Sequence, residues 1–376
     1  MSIENVKSVD LRVPQDSLSL GSKDIDFLTK MPVKFIEGNF ANYIWGGHYL
    51  YSMKGMFYDE NTPPAAESWE VSGHKKYPSR ILMPDGRIFT LKDLLRDREL
   101  AGLILGEAVV EHFGQDFPIL VKFIDVHQHM SVHLHPSHKV AKALGEDDPG
   151  KEEIFVILDL HEDAESALYL GLKDRVSRED FEVAVSKEEN VLGLLHKIRV
   201  SPGEIFRIPS GMLHCWTGGS VAIEIAESSD LTYRMYDFLR QRRVHIKKGL
   251  VSIDYKCNQD SGLKKQCKRK WETMLTKGLD SIVTHNALRV ERIRAGINDK
   301  PVNICNRDTF EVLMGIEGAI EIVSLKENWL VHLHKGSSLL IPAKAGDYLV
   351  RGIDQVNKNR ALRISMKIPT DKEKIA

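Results

Sequence analysis

The sequence predicts a mainly β protein of two sandwich- or barrel-like domains, with a helical insertion in the first. Three observations carry this. Short apolar runs broken by Gly, Pro and Asn recur from Val33 almost to the end of the chain, the pattern of many short strands joined by tight turns. A segment of the first half, Gly203, five residues, then Pro209-x-Gly211-x-x-His214, returns in the second half as Gly336, five residues, then Pro342. The returning copy continues Ala343-Lys344-Ala345-Gly346 without a histidine, so two related β-domains, one with a metal ligand and one without, account for the repeat. Finally, 376 residues of which 42% are hydrophobic suffice for two cores.

The elements follow in chain order. Residues 1–30 are polar and weakly patterned and read as an N-terminal extension. VKFIEGNF and YIWGG open the strand-like text. Apolar residues three and four apart predict a helix from Leu91 to about Leu105. PILVKFIDV and MSVHLHP read as strands around a turn near His127–His129, and EEIFVILDL as a buried strand. Residues 177–197 read as a helix, acidic early and apolar later at Val191, Leu194 and Leu195. KIRVSPGEIFRIPSGMLHCW and SVAIEIAES return to strands. After Asp237 the text turns basic, in RQRRVHIKKGL and in KKQCKRK (Lys264–Lys270). The expected division is an extension over 1–30, a metal-binding domain over 31–240, a connecting segment over 241–285, and a second domain without a metal site over 286–376.

Composition narrows the function. Lys+Arg is 52 and Asp+Glu is 53, a net charge of -1, which argues against nucleic acid as a partner; the basic run reads as a solvated face. No stretch approaches 18 consecutive apolar residues, so no membrane partner is expected. MSIENVKSVDLRV lacks the apolar centre of a secretory signal. Cys215, Cys257, Cys267 and Cys305 form no CxxC pair, and a cytoplasmic protein is expected. Histidine is the anomaly: five of 15 lie between His127 and His138.

His133-Leu134-His135 lies in a strand-like stretch, where side chains two apart share a face, so both imidazoles reach one point. His214 ends a G-x5-P-x-G-x2-H segment similar to the second motif of cupins. A carboxylate from PGKEEIFVIL, Glu152 or Glu153, would complete the set, and only one of the two can face inward. Histidines plus one carboxylate suit Zn, Fe, Mn or Ni. His332-x-His334 repeats the spelling without an accompanying carboxylate and reads as ordinary strand alternation. His127, His129 and His138 read as turn and surface residues, and Trp45 and Trp69 as structural or pocket-wall groups.

Seven collinear segments together resemble the type I mannose-6-phosphate isomerase (phosphomannose isomerase) family. They are YIWGG (43–47), AESWEVSGH (66–74), FPILVKFID (117–125), MSVHLHP (130–136), GKEE (150–153), IPSGMLH (208–214) and SSDLTYRMYDF (228–238). The resemblance spans about 33 to 365 and is strongest through 240. It implies two cupin-type (jelly-roll) β-barrel domains with a helical insertion and one zinc per chain. The implied ligands are His133, His135, Glu153 and His214, with His133 standing where the family usually has Gln. Ser131, Lys122 and Arg240 fall at substrate- or phosphate-binding positions. Lys151, Asp230 and Arg234 fall at positions suited to catalysis.

The implied chemistry is aldose–ketose isomerisation of a sugar phosphate through an enediol. It needs stabilised oxyanion charge, an acid and a base, and cations for a phosphate. Asp230 and Lys151 are the candidate proton carriers, Lys151 through a pKa depressed by the metal and nearby cations, and Arg234 steadies the enediolate. The rival readings are an isomerase of another sugar phosphate and a non-catalytic bicupin that binds one. Oligomeric state is not readable from sequence.

Overall fold

The structure, a computed structural model, describes residues 19–162, 164–260, 268–270, 278–285, 287–306, 309–355 and 359–368, with the backbone alone for 268–270 and 285. Most of the expected N-terminal extension and most of the KKQCKRK run lie outside the described residues. Twenty-three strands follow in chain order. The first thirteen are β1 (Phe40–Ala41), β2 (Glu67–Ser72), β3 (Arg80–Leu82), β4 (Ile88–Thr90), β5 (Ile119–Val126), β6 (Val132–Leu134), β7 (Glu153–Leu160), β8 (Ala167–Leu172), β9 (Leu195–Arg199), β10 (Glu204–Ile208), β11 (His214–Trp216), β12 (Ser220–Glu227) and β13 (Tyr233–Tyr236). The rest are β14 (Lys268–Lys270), β15 (Gly278–His285), β16 (Leu288–Ala295), β17 (Val302–Ile304), β18 (Glu311–Glu317), β19 (Ala319–Ser324), β20 (Leu330–His334), β21 (Ser338–Ile341), β22 (Tyr348–Gly352) and β23 (Asn359–Met366).

Apart from a two-stranded sheet of β3 and β4, the strands form two sheet pairs. The first pairs a sheet of order β1-β2-β5-β12-β7-β10-β14 with one of order β13-β6-β11-β8-β9. The second pairs β15-β16-β23-β18-β21 with β17-β22-β19-β20. Strands β5 to β12 and β16 to β23 thus repeat one eight-stranded jelly-roll connectivity. Each unit is a pair of packed sheets, the sandwich-like jelly roll expected from the sequence.

Strand alternation gives each large sheet two buried faces. Ile119, Val121 and Phe123 of β5, with Ile223 and Ile225 of β12, join Val290, Val312, Leu362 and Ile364 in one core between the two units. The intervening residues, such as Ile124, Phe155 and Ala222, face the inside of the first sandwich, and Ile293, Leu313 and Ala361 the inside of the second. A buried polar cluster ties the units together: the Lys54 ammonium lies 2.8 Å from Glu70 and 3.0 Å from the Gly336 carbonyl, and Ser338 donates to Glu70 at 2.9 Å.

Two helix expectations are corrected. The span 91–105 is broken into Leu91–Leu94 and Arg98–Leu105, followed by Glu107–Phe113. Asp97 accepts from the Leu100 amide and starts the second piece, as N-cap residues do, and Gly106 at φ +96° separates the third. The helix expected over 177–197 covers only Arg178–Ser186. Glu188 at φ +56° ends it, Val191–Leu194 form a 3-10 turn, and Leu195 is drawn into β9 by pairing with β8.

The interior of the second sandwich holds a buried ionic cluster. Arg363 on β23 donates to both oxygens of Glu311 on β18 and to Glu291 on β16, and Tyr348 donates to Glu311. The carboxylates outweigh the cost of burial and raise the Arg363 pKa. Removing one member of such a cluster leaves the others charged and unpaired. Arg363→Met should therefore cost about 3–5 kcal/mol, read as a lowered urea midpoint of the metal-free protein; a midpoint within error of wild type would show the cluster to be dispensable.

Candidate metal and substrate site

Three histidines meet inside the first sandwich because two neighbouring strands carry them. His133 on β6 pairs directly with His214 on β11, and His135 follows two residues after His133, on the same face. Glu153 opens β7 in the facing sheet. The imidazole ring centres lie 4.1 Å (His133 and His214), 5.4 Å (His133 and His135) and 5.2 Å (His135 and His214) apart. One nitrogen of each lies within 4.8 Å of the others. Glu153 reaches His135 Nε2 at 3.1 Å and His214 Nε2 at 3.0 Å. All four side chains are buried.

The tautomers follow from the backbone. Nδ1 of His133, His135 and His214 lies 2.7, 2.8 and 3.0 Å from the carbonyls of Ser131, Leu231 and Met212. A carbonyl only accepts, so each Nδ1 carries the proton and each Nε2 presents a lone pair. Burial, with the neighbouring imidazoles adding to it for His133, lowers the pKa of His133 and His135. Burial alone would raise the Glu153 pKa, but the Lys151 ammonium 3.2 Å away lowers it. Lone pairs and a carboxylate therefore point at one another with no donor between them, and His135 Nε2, His214 Nε2 and a Glu153 oxygen are buried without a hydrogen-bond partner. That is the arrangement a cation fits, with backbone carbonyls fixing the ligand tautomers.

Behind the ligands, the large sheet carries a buried line of alternating charge across β2, β5, β12 and β7. Lys122 lies 3.1 Å from Glu67 and 3.5 Å from Glu224, and Lys151 lies 2.7 Å from Glu224 and 3.2 Å from Glu153. Trp69 donates to Glu67 at 2.7 Å, and its ring faces the Lys122 ammonium at 4.5 Å. Lys122 therefore sits on the floor of the site, 1% exposed, with carboxylates on both sides. Without a metal's charge beside it, burial opposes the charge of Lys151, but Glu224 and Glu153 outweigh that cost and raise its pKa; the depression expected of Lys151 depends on the metal. Glu67 and Glu224 were missed in the sequence, although the Glu inside the apolar run VAIEIA, like the lone Lys inside PILVKFIDV, is a readable anomaly in a buried strand.

The floor opens into a cavity of about 250 Å³ lined by Ser131, His133, His135 and Lys151 below, and by Tyr43, Lys76, Asp230, Arg234 and Arg242 towards the mouth. Asp230 receives Lys76 at 2.7 Å, and its amide donates to Asp148, itself 2.9 Å from His74. Burial would raise the Asp230 pKa, but Lys122 and Lys76 lower it, so it is ionised at neutral pH. Arg234 donates to the Arg243 carbonyl at 2.7 Å.

Arg240 departs from expectation. Its guanidinium binds Asp237 and the His129 carbonyl and lines a separate cavity with His127, His129 and His161. Arg242 faces the site instead, donating twice to Asp237. The turn that swaps them holds Phe238, Leu239 and Gln241 at φ of 54°, 58° and 64°, a left-handed path invisible to residue counting. His332 and His334 are exposed on β20, as read from the sequence.

Two jelly-roll units, with a three-histidine, one-carboxylate cluster in the first, define a double jelly-roll protein with one metal-type centre among the described residues. Comparison with known proteins narrows the class. Residues 34–153 match the model of the phosphomannose isomerase type I catalytic domain. The chain is 33% identical over 233 residues to the "Probable mannose-6-phosphate isomerase GmuF" of Bacillus subtilis (strain 168), covering 58% of this chain and 67% of that protein. It is 25% identical over 327 residues to mannose-6-phosphate isomerase ManA of the same organism, covering 85% and 95%. Among solved structures, the mannose 6-phosphate isomerase from Bacillus subtilis superposes with a TM-score of 0.69 at 23% identity, over 89% of this chain and 99% of that one. A zinc-bound mannose 6-phosphate isomerase superposes at 0.70 and 17% identity, over 89% and 99%; at these identities the likeness concerns the fold. The chain belongs to the type I phosphomannose isomerase family.

Lys122 gives the test of this geometry. Lys122→Met would leave Glu67 and Glu224 buried and unbalanced, so the metal-free protein should lose about 3–5 kcal/mol of stability in urea denaturation. A residue that only anchors phosphate would raise KM and leave the urea midpoint unmoved.

Proposed function

We propose that the chain is a zinc-dependent mannose-6-phosphate isomerase, interconverting mannose 6-phosphate and fructose 6-phosphate by moving a proton between C1 and C2 through an enediol. The observation that carries this reading is the convergence of three imidazole lone pairs on one carboxylate oxygen that has no hydrogen-bond partner, at the floor of a cavity with a cationic mouth. His133, His135, Glu153 and His214 would hold one zinc ion, for which N and O donors in this number are suitable. When bound, the metal supplies Lewis acidity to the oxygens at C1 and C2.

The remaining roles belong to side chains around the cavity. Asp230, ionised and lining the wall, accepts the carbon-bound proton and returns it to the neighbouring carbon. Lys151 keeps its proton and offers fixed positive charge to the sugar oxygens. Arg234 meets the negative charge that develops in the enediolate. The Ser131 hydroxyl hydrogen-bonds the sugar chain. Arg242 takes the phosphate-facing place that residue counting assigned to Arg240, while Arg240 braces Asp237. Lys122 acts from beneath the floor, holding Glu224 and Glu67 in place. Among the described residues, Cys215, Cys257 and Cys305 form no disulfide, as suits a cytoplasmic enzyme.

A coupled assay for fructose 6-phosphate, run beside a panel of hexose and pentose phosphates, tests the reaction. No turnover of any of them by zinc-loaded protein would leave a binding role. Chelation should abolish activity and zinc restore it. His214→Ala or Glu153→Ala should weaken metal binding by more than the roughly 10- to 100-fold lost with an outer-shell partner. His133→Gln restores the family's usual donor and should keep stoichiometric metal, with preference shifted towards harder ions; His133→Ala should lose affinity.

Arg234→Ala should lower turnover by roughly 100-fold or more with metal content intact. Near-normal turnover in that variant would reduce Arg234 to its contacts with the Arg243 carbonyl and Asp237.

A further inference from the structure

Lys76 lies in none of the roles above, yet its ammonium stands at the cavity mouth. It follows β2 in the HKK triplet (74–76), where neither spacing nor composition marks it. Its ammonium is 2.7 Å from Asp230 and donates to the Tyr43 hydroxyl at 2.9 Å. It faces the Tyr43 and Tyr77 rings at 5.4 and 5.7 Å. An ammonium has three donors, and two are used. The side chain is 43% exposed, unlike buried Lys122 and Lys151. Lys76 is thus a lysine of the cavity that solvent, or an entering anion, can reach.

The pairing poses a problem for the reaction. A base is weakened by a cation held against it: the free protein keeps Lys76 2.7 Å from one Asp230 oxygen, so the other oxygen is a poorer proton acceptor while that cation stays. Lys122 and Lys151 also act on Asp230 from the floor but are held by Glu67, Glu224 and Glu153. Among the described residues, Asp230 is the one carboxylate that Lys76 meets; its other partner is a neutral phenol, whose pKa burial pushes up to about 12. An incoming phosphate dianion carries more charge than Asp230 and offers three acceptor oxygens.

We propose that Lys76 senses the substrate's phosphate: bound to Asp230 in the free protein, it transfers to the phosphate when substrate enters, and so releases the Asp230 carboxylate for proton transfer. The inference rests on the isomerase reading above. No proton moves in the exchange; one ion pair replaces another, over the same two tyrosine rings. The phosphate then acts as more than a handle, because its arrival completes the base. Free mannose, lacking the phosphate, leaves Lys76 on Asp230.

The test compares wild type, Lys76→Met and Lys76→Arg, zinc-loaded, on mannose 6-phosphate and on free mannose, with and without inorganic phosphite. Wild type should convert mannose slowly and be accelerated by phosphite. Lys76→Met should lose roughly 10- to 100-fold in kcat/KM for mannose 6-phosphate, the worth of a hydrogen bond to a charged group. It should convert free mannose severalfold faster than wild type and ignore phosphite. Lys76→Arg should keep the phosphite response. A damaged fold cannot raise the rate on mannose, so that gain separates the proposal from a structural role. If Lys76→Met lowers both substrates in proportion, or phosphite fails to accelerate wild type, the proposal is overturned. If wild type does not convert mannose 6-phosphate at all, the isomerase reading falls, and this inference with it.

Discussion

Everything in the first sandwich is arranged around a row of charges that water cannot reach. Glu67, Lys122, Glu224, Lys151 and Glu153 alternate in sign across four adjacent strands, and each is buried. Isolated, any of them would be costly to bury. In sequence each is balanced by the next, yet three carboxylates and two ammoniums leave one negative charge over, at the Glu153 end. The histidines cannot neutralise it, because their protons are committed to backbone carbonyls on the other side of each ring. A divalent cation at that end closes the row and leaves one positive charge facing the cavity. Lewis acidity and fold stability are then two readings of the same electrostatic remainder.

The second sandwich solves the same problem with protein atoms alone. Strand registers equate positions between the halves. Glu153 pairs with Ile208 before Pro209, and Glu311 pairs with Ile341 before Pro342. Lys122 opposite Glu224 corresponds to Glu291 opposite Arg363. His133 opposite His214 corresponds to Ile304 opposite Tyr348. The carboxylate at the strand start persists, the lysine and glutamate have exchanged sign, and a guanidinium and a phenol stand in the metal's neighbourhood.

The sequence made the strands, the repeat and the three-histidine cluster legible, because each rests on a local spacing: two residues on a strand, or a fixed run from Gly to Pro to His. It left Glu152 and Glu153 unresolved until family likeness separated them, since either could begin an inward-facing strand. It could not show the charge row, whose members lie on strands far apart in the chain and meet through pairing. Arg240 and Arg242 exchanged places because a left-handed turn over 238–241 breaks the count. The helix expected to reach 197 stopped early because Leu195 found a strand partner, a tertiary preference that overrides local periodicity.

The built-in counter-ion of the second half has a consequence for how the molecule comes into being. Arg363 is present from the moment of synthesis, whereas zinc must be captured. The two halves share one hydrophobic core, running from Val121 and Phe123 to Val312 and Ile364. The half that carries its own cation can therefore serve as a template against which the ion-dependent half condenses, keeping an empty centre assembled while it waits for metal. The second copy thus carries in its own chain the cation that the first has to bind from outside.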